Sequence, residues 1–346
     1  MKRTFLCLVV LITAFSAVAT AANNCTFTTK GSTLTLQGDC TTDASIIVPQ
    51  GVKMDLGGHT ITAVDPSGDH FRGGVVQNGG SQASVTNGTI QASGLAEVCD
   101  AGANRLRGVL FDGASGSITN LNVLNINQNH GAILSGCQEG NAIEARNFGS
   151  SPTTISVVID GNTIAGYQKT GIVVNGDADG SVTNNTVTGD GPQPFIAQNG
   201  IQIGFGATAR VKFNTVSGNS YTGTGDASGG VLVVAGPFYG SAYSVGDQVQ
   251  NNTLNGNDIG VWLSQFDTFF NPPVTQTNVK VDHNTITNSA LTNGIPYQAG
   301  VADQGNNDKI INNTISGAGY DSSNVCGCLF AVDVTATNHP KVHATK

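Results

Sequence analysis

The chain repeats one arrangement of polar and apolar positions. A polar turn ends in Asn, and Thr and an apolar residue follow. The pattern stands at Asn162-Thr163-Ile164, Asn185-Thr186-Val187, Asn214-Thr215-Val216, Asn252-Thr253-Leu254, Asn284-Thr285-Ile286 and Asn313-Thr314-Ile315, with spacings of 23, 29, 38, 32 and 29 residues. Weaker copies precede it at His59-Thr60-Ile61 and Gly88-Thr89-Ile90. A second element keeps phase with the first: a Gly before a short apolar strand, at Gly108, Gly131, Gly171, Gly200, Gly230, Gly260 and Gly300. Periods of about 20–50 residues signal a solenoid, propeller or array. The shortest unit is too short for a four-stranded blade, so the pattern predicts a coil wound in three sheets. The Asn is expected to take the left-handed backbone at the bend and to bond the Asn one coil away.

These elements, with Asp55-Leu-Gly-Gly-His-Thr-Ile61 as an opening coil, resemble the right-handed parallel β-helix superfamily, the pectate-lyase-like fold. The resemblance runs from Val48 to Val334. It implies an all-β solenoid of about nine to ten coils with an N-terminal strand cap. It is nearly silent on activity, because the superfamily holds lyases, hydrolases, epimerases, tailspikes, adhesins and periplasmic proteins.

Composition agrees with short strands. Only 11% of residues are charged, and 46 are Gly, which excludes a helical bundle or coiled coil. Residues 1–21 read as a Sec-type signal peptide: Lys2-Arg3, an apolar run, then Ala19-Thr20-Ala21. Residues 22–47 read as the cap, 48–334 as the β-helix and 335–346 as a polar tail. The expected product is secreted or periplasmic, with no later membrane span. Without Lys2 and Arg3 the chain has 13 basic against 23 acidic residues, a net charge of −10. That argues against nucleic acid as a partner. Six cysteines then remain, an even number that suggests disulfides. Cys25–Cys40 is the most plausible pair and Cys99–Cys137 is possible. Cys326 and Cys328 are either a local pair or two thiols.

The polygalacturonase-type hydrolase motifs are absent: Asn-Thr is never followed by Asp, and His130-Gly131 lacks a preceding Gly. Stacking the Gly-strand elements instead gathers His70, Arg72, Arg105, Arg107, His130 and Lys169 on one sheet edge. Arg107 and His130 precede Gly108 and Gly131 in what the alignment makes adjacent coils. Such a cluster can hold an acidic sugar and supply β-elimination. Arg107 would neutralise the carboxylate, and His130 or Lys169 would accept the proton. The plainer reading is a set of solubilising side chains, with Arg paired to Asp69, Asp100 or Asp112. Glu139, in the insert after Gly136, is the next catalytic candidate.

The expected substrate-binding set is Arg72, Arg105, Asn199, Gln202, Phe238, Tyr239, Trp262 and Phe266. The aromatics suit either stacking on sugar rings or covering a satellite core. The outward row Leu110, Val173, Gln202, Leu232, Trp262, Ala302 is apolar for a solvent face, as if something covers it. No cofactor is expected; the one candidate cation site is calcium at Asp177 and Asp179, against a solvated acidic turn. Two functions stay open: a carbohydrate-active protein, with a polysaccharide lyase on acidic glycans as its sharpest form, and a non-catalytic β-helix for adhesion, glycan binding or periplasmic assembly.

Overall fold

A computed structural model describes residues 23–128, 136–324, 326–335 and 341–343. The signal-peptide reading and His130 lie outside the described residues. The chain winds as a right-handed parallel β-solenoid with three strands per coil. One coil shows the plan: Thr170–Gly176, then Ala178–Thr183, the Asn184-Asn185 bend, and Thr186–Gln193. The first strand of each coil joins a ten-stranded sheet running from Ile46–Val48 to Leu329–Val334; this is the groove sheet. The other two join a continuous sheet folded at the Asn bends. Helix among the described residues is limited to three short 3-10 turns.

Period-two alternation builds the core. Val85, Ile118, Ile159, Val182, Val211, Val249, Val281 and Ile310 are in register from coil to coil and fully buried. Each such side chain contributes about 1.5–3 kcal/mol on burial. The Gly positions are sites of close approach: a Cβ at Gly200 would stand 2.6 Å from the Gly230 carbonyl oxygen.

At the bend the amides form an unbroken ladder. Asn162 donates its backbone N–H and Nδ2 to Asn185 Oδ1 at 3.0 and 2.9 Å. The same pair of bonds continues from Asn185 to Asn214, Asn252, Asn284 and Asn313. Each Nδ2 also donates to a backbone carbonyl, as Asn185 does to Ile159 at 3.0 Å. The left-handed residue, however, is the one before the ladder Asn: Gly161, Asn184, Phe213, Asn251, His283 and Asn312 carry φ between 55° and 67°. The sharp turn is made one residue early, which frees the ladder Asn to aim its side chain along the stack.

At the N-terminal end Phe27–Lys30 pairs antiparallel with Thr33–Leu36, beside the Cys25–Cys40 disulfide. Cys99–Cys137 and Cys326–Cys328 are also bonded. The stretch read as a polar tail includes Lys341–His343, which pairs with Lys309–Ile311 and extends the sheet.

Candidate functional site

The outward row of the groove sheet exists, with one member the sequence alignment lacks. Registers run Leu110, Glu144, Val173, Gln202, Leu232, Trp262, Ala302. The strand that follows Arg107–Asp112 is Asn141–Asn147, not the segment at Gly131. Arg107 therefore stands between Gly74 and Asn141; the His130 expected beside it lies outside the described residues. The cause is visible in the sequence: Ala142 occupies the position that Gly108 and Gly171 hold in the flanking coils, while the Gly131 segment imitates the motif.

Glu144 organises this end of the sheet. Its Oε2 accepts from Arg107 Nε at 2.5 Å and Asn141 Nδ2 at 2.9 Å; its Oε1 lies 3.4 Å from Arg146 Nη1. Arg146 turns its other nitrogens to Asp112 Oδ2, 2.7 and 3.0 Å away. Arg107 further donates to the carbonyls of Arg105 and Gly102. Arg107 and Glu144 are thus a buried, fully bonded pair rather than a free base or a free anion receptor.

Above this floor lies a cleft of about 370 Å³, lined by Arg105, Asn141, Lys169, Gln202 and Phe205 among others. A second cleft of about 280 Å³ shares Gln138, Lys169, Gln202 and Phe205 and runs on to Asn199, Tyr239 and Trp262. The shared residues make one polar and aromatic groove across the coils. Two cations in it have no carboxylate within ion-pair distance among the described residues, although Asp226 also lines the second cleft. Lys169 Nζ donates to the Ala197 carbonyl at 2.7 Å; desolvation lowers its pKa to about 8, opposed by the charge of Asp226 and helped by that of Arg105. The Nε of Arg105 is buried without a hydrogen-bond partner, as is Oδ1 of Asn141. Buried polar atoms are normally paired, so these two atoms, on residues that line the cleft, are exceptions.

The aromatics divide. Tyr239 reaches Ser264 Oγ at 2.8 Å and Trp262 Nε1 donates to Gln304 at 3.1 Å, both lining the groove. Trp262 also packs on a satellite cluster of Ala227, Ile259, Ala299 and Ala302. Phe238, Phe266 and Phe270 pack on one another in edge-on and tilted contacts, with Phe238 and Phe270 centroids 3.8 Å apart. Tyr239 and Trp262 thus line the groove, while Phe238, Phe266 and Phe270 pack on one another.

Other candidates fall elsewhere. Arg72 is exposed and forks onto Asp69 at 2.7 and 2.8 Å; His70 Nε2 lies 2.8 Å from Asp100. Glu139 is buried and holds two backbone amides, from Asp100 and Leu106; burial pushes its carboxyl up. None of these three lines the groove. Asn199 Oδ1 accepts from Gly229 N–H at 2.9 Å. Asp177 accepts from Thr154, and Asp179 lies 3.8 Å from Arg210. Among the described residues no three metal-ligating side chains gather. Sequence reasoning missed Asn141, Arg146, Asn175 and Gln138. The one available signal was Glu144 and Arg146, two apart and so on one face of a strand.

The family model described as "Right handed beta helix region" matches residues 107–330. No curated protein matches the sequence. Among solved structures, the crystal structure of the Dettilon tailspike protein is similar, at 17% identity and a TM-score of 0.47. That match covers 90% of this chain, which spans 61% of the tailspike chain.

Proposed function

The chain belongs to the right-handed β-helix family, and on that footing we propose that it is an exported protein that binds an acidic polysaccharide along the groove sheet and cleaves it as a lyase. The observation that carries this reading is the pair of orphaned buried atoms, Arg105 Nε and Asn141 Oδ1, beside Lys169 in the cleft. A sugar carboxylate would pair with the Arg105 guanidinium, and a sugar hydroxyl with the Asn141 amide, after a small side-chain shift that exposes them to the cleft. Three disulfides support export, since such bonds persist in oxidising compartments.

Lys169 is the base in this reading. With a pKa of about 8 a useful fraction is neutral near physiological pH. It takes the proton from the ring carbon bearing the carboxyl, whose acidity Arg105 raises by neutralising the carboxylate. The bond from the next ring carbon to the bridging oxygen breaks, a carbon–carbon double bond forms in the ring, and the leaving oxygen takes a proton from solvent. Glu144 is disfavoured as the acid or nucleophile of a glycoside hydrolase because its oxygens are held by Arg107, Arg146 and Asn141.

A panel of polyuronates tests the reading, with unsaturated ends followed by ultraviolet absorbance and reducing ends in parallel. Both should rise together, and Lys169→Met should abolish them. Reducing ends without unsaturation would mean hydrolysis. Binding without new ends would favour the non-catalytic alternative, which the hydrogen bond holding Lys169 to Ala197 supports.

A further inference from the structure

The groove changes character along its length. Its two clefts share Gln138, Lys169, Gln202 and Phe205, and beyond these they differ in charge. The first adds three cations, Arg105, Arg107 and Arg146, with Glu144 the one carboxylate among its described lining residues. The second adds none. Past Lys169 its described lining is uncharged except for Asp226, with Tyr239 and Trp262 above an apolar floor of Leu232 and Val234. The sequence explains the change: none of residues 213–279 is Lys, Arg or His, and this stretch supplies the groove strands Gly229–Ala235 and Ile259–Gln265.

From Val173 to Trp262 the outward row advances three strands, about 14 Å at the spacing of a sheet. Neighbouring sugars of one chain would therefore lie on both halves. Asp226 is exposed, and among the described residues no cation lies within ion-pair distance of it. Its charge is felt at both Lys169 and Tyr239, so it stands near the junction of the halves. A sugar carboxylate carried past Lys169 would meet this like charge, with no cation in the lining to offset its desolvation. A neutral sugar carries no such cost, and its C–H face can lie against Tyr239 and Trp262.

We propose that the groove selects a heteropolysaccharide in which an acidic sugar alternates with neutral ones, the acidic sugar at Arg105 and Lys169 and a neutral sugar on Tyr239 and Trp262. The inference deepens the reading of the groove as an acidic-glycan site and rests on it. Selectivity comes from two opposed effects on the same ring: the aromatics favour a neutral sugar, and Asp226 disfavours a charged one. A polymer with a carboxylate on every sugar still reaches Arg105, but it binds more weakly because its next charges fall on the cation-free half.

The test is calorimetry on Lys169→Met, which leaves the polymer uncut, with pairs of oligosaccharides of equal length that share a uronate. One pair is oligogalacturonate and an oligomer alternating galacturonate with rhamnose. The other is oligoglucuronate and an oligomer alternating glucuronate with N-acetylglucosamine. In at least one pair the alternating oligomer should bind at least about tenfold tighter. Asp226→Asn, added to the same background, should strengthen binding of the homopolymer and narrow the gap. Trp262→Ala should weaken the alternating oligomer more than the homopolymer. Equal binding within both pairs, or a gap that neither substitution changes, would overturn the inference and leave the acidic-glycan reading standing. No binding by any of the four would overturn that reading as well.

Discussion

Nε of Arg107 stands 2.5 Å from Oε2 of Glu144, and both side chains are almost wholly buried. The two are joined across neighbouring strands, 37 residues apart in sequence. Removing one partner leaves the other as an uncompensated buried charge. Arg107→Ala should therefore lower stability by about 3–5 kcal/mol, read from urea denaturation. A loss below about 1 kcal/mol would show that water or another group already satisfies Glu144. Activity lost in this variant would follow from lost structure, so Arg107 is a positioning residue in any assay.

The Asn ladder predicts a sharp contrast between neighbours. Asn185→Leu removes the acceptor for two bonds from Asn162 and the Nδ2 donor to Asn214 and Ile159. It should cost about 2–4 kcal/mol. Thr186 is exposed one residue later, and Thr186→Leu should stay within about 0.5 kcal/mol of wild type. Comparable losses would mean that the bend is held by its backbone alone.

The ladder was legible in the sequence because the coils from Asn162 to Asn313 repeat the same contact with the same residue type. The groove row was legible for Val173, Gln202, Leu232 and Trp262, where each strand opens on its Gly. Legibility failed at the insert. There Ala142 replaces the Gly, a decoy lies at Gly131, and the period gives no means to choose between them. Asn141 and Arg146 were lost with that strand. Charge composition exposed the cations but not their pairing: Arg72 and Arg107 go to Asp69 and Glu144, whereas Arg105 and Lys169 have no carboxylate within ion-pair distance among the described residues. Those assignments depend on distances between coils that no repeat encodes.

Buried acids set the pH dependence of stability. Burial raises Asp247 from its ordinary range to about 7. The buried Asp303 and Asp308 are raised by desolvation, Asp308 further by the charge of Asp303. A raised carboxyl binds its proton more tightly folded than unfolded. Its contribution is complete below the unfolded pKa near 4 and is lost as pH rises through the folded value. The melting temperature should be higher at pH 5 than at pH 8. Asp247→Asn should flatten part of that slope, on the order of 2–4 kcal/mol across the range. A melting temperature that rises from pH 5 to pH 8 would contradict these raised values.

Trp262 serves two contacts at once. Its ring packs on Ala299 and Ala302 while its edge lines the groove. Trp262→Ala should lower stability by about 1–3 kcal/mol and weaken oligosaccharide binding. Trp262→Phe should restore most of the stability and part of the binding. Unchanged binding in Trp262→Ala would remove the second cleft from the glycan path.

The central claim is that Lys169 is the base of a groove that holds an acidic sugar on Arg105. Its most direct test is the pH–rate profile of unsaturated-end formation from a polyuronate, for wild type and Lys169→Met. The wild-type rate should rise through about pH 8, as the Lys169 ammonium loses its proton. Lys169→Met should lose at least about a hundredfold at every pH, with oligosaccharide binding largely retained. A variant with the wild-type rate and the same pH profile would contradict the account.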